Sequence, residues 1–275
     1  MWPLQLIISV FLLLPPSLLS AALNAKPGCL DRCGDLLIPY PFGVGPNCSY
    51  SPHFDINCDY STDPPKAYLS IMKKQVIEFN QTYIRLKNPF MISACYGLST
   101  DNQRSMTVNL SGTPYMLSNK NVLTVIGCDD MLLQYKGSST IGGCSVFCAD
   151  KSDAGFGDCH FNGCCHQAVG YGDEVRFLEA ELIDLSRRSQ RKKLLPCSYA
   201  FIQERTKRNE TVFTYPLYYL NNSTALLNDD WASASRPPVV RLDWLVGTEN
   251  CSRAMNSNTY ACLDEKSVCA DYYIC

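Results

Sequence analysis

Sixteen cysteines lie along this 275-residue chain, at Cys29, Cys33, Cys48, Cys58, Cys95, Cys128, Cys144, Cys148, Cys159, Cys164, Cys165, Cys197, Cys251, Cys262, Cys269 and Cys275. An even number scattered this widely supports up to eight disulfide bridges, formed in an oxidising compartment. Zinc is the competing use of cysteine. Metal sites pair two close cysteine twins at regular spacing, often with histidine. That pattern could be read at Cys144-x3-Cys148 or at Cys159-x4-Cys164-Cys165, but the cysteines are scattered over the whole chain and the histidines are only His53, His160 and His166. Bridges are therefore expected rather than metal. Cys164 and Cys165 should bridge to different partners, because adjacent cysteines rarely reach the geometry of a mutual disulfide.

The amino terminus agrees with export. Leu6–Leu14 is an apolar run broken by Pro15-Pro16 and followed by the small residues Ser20, Ala21 and Ala22. That is the layout of a secretory signal peptide over 1–22, with cleavage after Ala25 as the alternative. The run is well short of the ~20 residues of a spanning helix. The mature chain is expected to be secreted, extracellular or in the cell wall. Membrane association is expected only if the leader stays attached or the chain is a receptor fragment. Asn47, Asn80, Asn109, Asn209, Asn221, Asn222 and Asn250 are each followed by x-Ser/Thr, the N-glycosylation acceptor pattern. Asn221 and Asn222 overlap. A formal charge of -2, from 24 basic against 26 acidic residues, excludes a strongly basic nucleic-acid binder.

Short runs of β-branched and aromatic residues bounded by Gly, Pro, Asn and Asp predict strands. They are 67–72, 76–79, 82–86, 90–96, 106–110, 122–127, 131–135, 197–203, 212–215 and 239–245. Val122–Ile126 is apolar on both faces and should be central. In the last run Val240, Leu242 and Trp244 share one face, so Trp244 is expected in the core. Trp231, beside Asp229-Asp230, is expected to be exposed. Val175–Leu185 fits a strand or a helix stripe; its neighbours favour strand. The fold class is thus mainly β, a disulfide-rich extracellular module with long loops. Its parts are an N-terminal region over 23–185, a basic connector over 186–193, a C-terminal β part over 194–250, and a Cys-rich tail over 251–275. In the tail, Cys262-x6-Cys269-x5-Cys275 is similar to the first half of an EGF-like module, hence an incomplete EGF-like tail.

Cys29-x3-Cys33-Gly34 leads into Ile38-Pro39-Tyr40-Pro41-Phe42-Gly43, then Cys48, Phe54 and Cys58. Val125-Ile126-Gly127-Cys128-Asp129 follows, then Gly143-Cys144-x3-Cys148 and Gly163-Cys164-Cys165. Cys197-Ser198-Tyr199-Ala200-Phe201 and Leu242-Asp243-Trp244 come before Cys251. In order and spacing this series resembles the galacturonan-binding extracellular domain of plant wall-associated receptor kinases. The resemblance implies non-catalytic binding of pectin, meaning polygalacturonic acid or its oligomers. It also implies continuation into EGF-like repeats, a transmembrane helix and a kinase, none of which is complete in these residues. The expectation is a receptor-like binder lacking the kinase. No cofactor is indicated; calcium would enter only through pectin itself.

A polyanion calls for a row of cations. Lys73 and Lys74 precede a strand. Arg85 and Lys87 are two apart on a strand, hence on one face and about 6–7 Å apart. Arg187, Arg188, Arg191, Lys192 and Lys193 form the densest cluster, although an exposed basic loop is also readily nicked by proteases. Each exposed ion pair is worth only ~0–1 kcal/mol, so affinity must be summed over several contacts and weakened by salt. Tyr218 and Tyr219, with Tyr215, offer aromatic faces to sugar rings, or pack as strand residues. A glycosidase needs two carboxylates held across the bond. Asp129, Asp130, Glu179, Glu181, Asp229 and Asp230 are available without a distinguishing spacing, and Asp129 suits a turn. A Cys nucleophile beside His160 or His166 is removed by disulfide bonding. The remaining class is a protein-binding ectodomain that docks another cell-surface receptor.

Overall fold

In the computed structural model the described residues are 25–87, 90–95, 104–136, 139–150, 159, 163–169, 175–185, 194–195, 197–205, 238–247 and 251–256. The leader, the 186–193 run, 212–215, Trp231 and the tail beyond residue 256 lie outside them.

The described fold is mainly β. A short ribbon pairs β1 (Arg32–Cys33) with β2 (Leu36–Leu37). The largest sheet has seven strands: β3 (Gly43–Val44), β4 (Asp55–Asp59), β5 (Lys66–Leu69), β6 (Lys74–Phe79), β7 (Tyr83–Lys87), β10 (Tyr115–Leu117) and β17 (Val239–Trp244). Their order is β10-β17-β7-β6-β5-β4-β3. A strand exposes alternate residues to opposite faces. Thus β4 turns Ile56 and Cys58 inward and Asp55, Asn57 and Asp59 outward, while β7 buries Ile84 and Leu86 and turns Tyr83, Arg85 and Lys87 outward. Under the sheet, Phe42 packs on Phe54, Phe79 and Trp244 with ring centroids 4.6–5.5 Å apart, the spacing aromatic pairs prefer. Trp244 is in the core, as its alternation with Val240 and Leu242 predicts.

Two four-stranded sheets complete the layers. One has the order β14 (Cys164–Ala168), β11 (Asn121–Ile126), β16 (Cys197–Glu204), β8 (Met91–Cys95). Every residue of β11 is buried, and β11 lies between β14 and β16, the central place its two-sided apolar run requires. The other has the order β13 (Ser139–Val146), β12 (Asp130–Lys136), β15 (Phe177–Asp184), β9 (Ser105–Asn109). The ambiguous segment 175–185 is strand β15, paired on both edges, with Leu178, Ala180 and Leu182 inward. Period two prevails because partner strands take up its backbone hydrogen-bonding groups. The two described strands after the 186–193 run join sheets formed by earlier strands. β16 pairs with β11 and β8, and β17 pairs with β7 and β10.

Among the described residues six disulfides join Cys29–Cys48, Cys33–Cys58, Cys95–Cys197, Cys128–Cys148, Cys144–Cys165 and Cys159–Cys164. Cys164 and Cys165 do take different partners, and Cys144, Cys148 and Cys159, whose spacing approaches that of a zinc site, are each in a disulfide. The side chains of Cys251, Cys262, Cys269 and Cys275 lie outside the described structure. Among the described residues no helix is long and apolar enough to cross a membrane.

Candidate functional site

An open groove of about 1050 Å³ runs over the outward face of β4 and β5. The 45–52 loop forms one wall, and the turn between β5 and β6 forms the other. The loop is held by local chemistry. A Cβ on Gly43 would lie 2.2–2.4 Å from the backbone of Cys48 and Ser49, so only glycine lets the chain fold back there. Cys29–Cys48 ties the loop to the amino-terminal segment, and Cys33–Cys58 ties the β1–β2 ribbon to β4. The floor follows from register: Asn57 faces Tyr68 across β4–β5, and Tyr68 faces Gln75 across β5–β6. Tyr50, in the loop, is set edge-on to Tyr40 with centroids 6.4 Å apart.

The charges of the groove are unequal in availability. The Ser49 hydroxyl donates to Asp55 Oδ1. The Ser61 backbone N–H donates to Asp59 Oδ1 at 2.9 Å. The Ser61 hydroxyl and then that N–H hold the Asp59 carboxyl below its ordinary range, with a smaller contribution from Lys66. Lys73 sits at the tip of the β5–β6 turn, where its backbone N–H donates to the Leu69 carbonyl at 2.8 Å. Its φ is 52°, the left-handed region uncommon outside glycine, and its side chain is exposed at the groove. Lys73 makes no ion pair among the described residues. Lys26 donates from Nζ to the Asn47 carbonyl at 2.8 Å, at the loop wall. Three ammonium groups (Lys26, Lys66, Lys73) thus stand in or beside a groove with two carboxylates (Asp55, Asp59), and both carboxylates already accept hydrogen bonds.

The other expected cations fare differently. Lys74 opens β6 and is half-buried. Lys87 closes β7 opposite Val239. Arg85 faces outward as expected, but its guanidinium is committed. It donates to Glu78, and it grips Glu204 of the neighbouring sheet through Nε at 2.6 Å and Nη2 at 3.0 Å. Glu204, then Glu78, raise its pKa further, against the opposing effect of burial. Arg241 lies directly opposite Arg85, with Glu204 at 4.0 Å and Asp243 at 2.9 Å. The Tyr83 ring lies 3.8 Å from the Arg241 guanidinium carbon and 5.3 Å from that of Arg85. Two guanidinium groups among three carboxylates leave one surplus negative charge, the wrong sign for an anionic ligand. Arg187, Arg188, Arg191, Lys192, Lys193, Tyr218 and Tyr219 lie outside the described residues, as do Asn209, Asn221, Asn222 and Asn250.

Tyr50, Tyr68, Asn57, Lys26 and Lys66 of the groove were not among the sequence candidates. The alternation Asp55-Ile56-Asn57-Cys58-Asp59 carried a signal, since a strand with one polar face presents that face to solvent. The pairing that brings Tyr68 beside Asn57 carried none.

The disulfides, the polar outward groove and the sheet together define a stapled β module with an open surface groove. Residues 29–94 match the family described as wall-associated receptor kinase galacturonan-binding. Similarity continues well past that stretch. The chain is 30% identical to wall-associated receptor kinase 1 of Arabidopsis thaliana over 91% of its own length, covering 32% of that protein. It is 27% identical to wall-associated receptor kinase 5 over 85% of its length, covering 30% of that relative. For wall-associated receptor kinase-like 10 the figures are 29% identity, 57% and 21%. The chain therefore spans about a third or less of the length of these relatives. No solved structure matches it.

Proposed function

We propose that the chain acts outside the cell as a non-catalytic binder of galacturonan, and that the groove over β4 and β5 takes a short run of its uronic-acid units. The observation that carries this reading is location: the groove's lining residues run from Gly45 to Lys73, all inside the stretch that matches the galacturonan-binding family. In this reading Lys73 pairs with a galacturonate carboxylate, and Tyr68 and Tyr50 cover the apolar faces of sugar rings. Catalysis is disfavoured by the same chemistry. A glycosidase needs a carboxylic acid whose pKa is raised so that it can protonate the leaving oxygen. The Asp59 carboxyl is shifted the opposite way. The 186–193 run is a second proposed cationic contact.

The test is retention of the secreted full chain on immobilised polygalacturonate across a salt series. Lys73→Glu turns an attraction into a repulsion and is expected to weaken retention about tenfold at low salt. Retention that ignores both salt and Lys73→Glu would instead favour a protein-docking ectodomain.

A further inference from the structure

The N-glycosylation acceptor Asn47-Cys48-Ser49 forms part of the groove wall. Three of the seven acceptors are described, and their surroundings differ. Asn80 accepts from the Thr82 N–H at 3.5 Å, and Asn109 accepts from the Ser111 N–H at 3.0 Å. Asn109 lies on β9, the edge of a different sheet. Asn47 is exposed, and its carboxamide has no hydrogen-bond partner among the described residues; only its backbone carbonyl is engaged, by Lys26. Its φ of 61° suits asparagine at a turn. Asn47 is therefore an open attachment point that looks over the ligand surface.

We propose that a glycan on Asn47 closes the groove, so that modification at this position decides whether the chain can take galacturonan there. The inference rests on the groove being the galacturonan site. The attachment is a group transfer. The Asn47 carboxamide nitrogen bonds to the anomeric carbon of an oligosaccharide carried on a lipid pyrophosphate. The anomeric carbon–oxygen bond to the pyrophosphate breaks, the lipid pyrophosphate leaves, and the amide proton passes to a base of the transferase. In the folded chain the Ser49 hydroxyl of the acceptor is spent on Asp55, and Cys48 is buried in its bridge to Cys29. Transfer therefore precedes closure of the loop, and chains divide into modified and unmodified populations as they fold. A branched polar oligosaccharide anchored on the wall occupies the space a uronic-acid ribbon needs, and folding cannot remove it.

The experiment separates the secreted chain into fractions with and without sugar on Asn47, identified by glycopeptide mass, and measures retention of each on polygalacturonate at low salt. Loss of a whole run of sugar contacts predicts at least about tenfold weaker retention of the modified fraction. Asn47→Gly removes the acceptor and tolerates the left-handed backbone, so the variant folds; it should be retained better than the modified fraction. Trimming the glycan to a single sugar with an endoglycosidase should restore most of the retention without any substitution. Asn109→Gln, on the other sheet, should change nothing. Equal retention of the two fractions, or no sugar on Asn47 in secreted protein, overturns the inference and leaves the galacturonan reading standing. Failure of Asn47→Gly and of every fraction to bind in dilute buffer overturns the galacturonan reading and the inference with it.

Discussion

The outward face of the seven-stranded sheet carries two charged regions, one over β6, β7 and β17 and one over β4 and β5, which adjoin where β5 pairs with β6. They use their charge in opposite ways. Around β6, β7 and β17, both guanidinium groups are answered: Arg85 and Arg241 are shared among Glu78, Glu204 and Asp243. Around β4 and β5, the carboxylates are answered by serine donors, and Lys73 is left over. The first arrangement binds one sheet to another, because Glu204 comes from β16. The second leaves a charge for something outside the molecule. A basic residue on a solvent-facing strand is therefore no evidence of a ligand site until its neighbours are counted.

Gly43→Ala should separate the regions most sharply. The atoms a Cβ would meet belong to the Cys48 and Ser49 backbone, so no side-chain rotation relieves the overlap. We expect a loss of up to about 3 kcal/mol of stability, with the groove wall displaced. Chemical denaturation measures the first effect and polygalacturonate retention the second. If the folded variant binds normally, the groove wall is not part of the site.

Arg85→Met should give the converse result. It keeps the apolar stem but leaves Glu204 facing Glu78 without their shared cation. Breaking a buried pair costs about 3–5 kcal/mol and an exposed one about 0–1. With 32% of the Arg85 side chain and 18% of the Glu204 side chain exposed, we expect about 1–2 kcal/mol. Retention by the folded fraction should be unchanged. A tenfold loss of retention without loss of stability would mean that Arg85 serves ligand after all.

How much of this was legible beforehand follows from what sequence patterns encode. Burial is encoded locally: the two-sided apolar run at Val122–Ile126 and the alternation at Val240, Leu242 and Trp244 both lead to the observed strands. Of the strands the sequence runs did not cover, β4, β13 and β14 carry polar residues, glycines or cysteines where a hydrophobic signal would stand, and β1, β2, β3 and β10 span only two or three residues, too few to show a period. The fate of Arg85 was not legible, because Glu204 lies 119 residues away and meets it only where β16 packs against β17 of the other sheet. Lys73 was named for its charge. That Leu69, Tyr68 and the 45–52 loop would frame it depends on register and on two disulfides, which spacing alone does not assign.

The finest test asks which partner holds Arg85 in place. Glu204 grips it with both oxygens and is the more buried acid; Glu78 gives one contact and is 39% exposed. Glu78→Gln should therefore cost less than about 1 kcal/mol, and less than Glu204→Gln in the same measurement. Glu78 also accepts from the Tyr83 hydroxyl at 3.0 Å. Burial first, and then Glu78, raise the Tyr83 pKa above its ordinary 10.0. The folded chain thus holds this proton better than the unfolded chain does. Its contribution to stability is complete below about pH 10 and falls as pH rises beyond that. In Glu78→Gln the contribution from burial remains and that of the carboxylate is gone, so the alkaline loss should shrink without vanishing. Denaturation at pH 8 and pH 11 for the parent and the variant measures the difference. An unchanged alkaline loss would show that Tyr83 does not feel Glu78, and that the network is held by Glu204 alone.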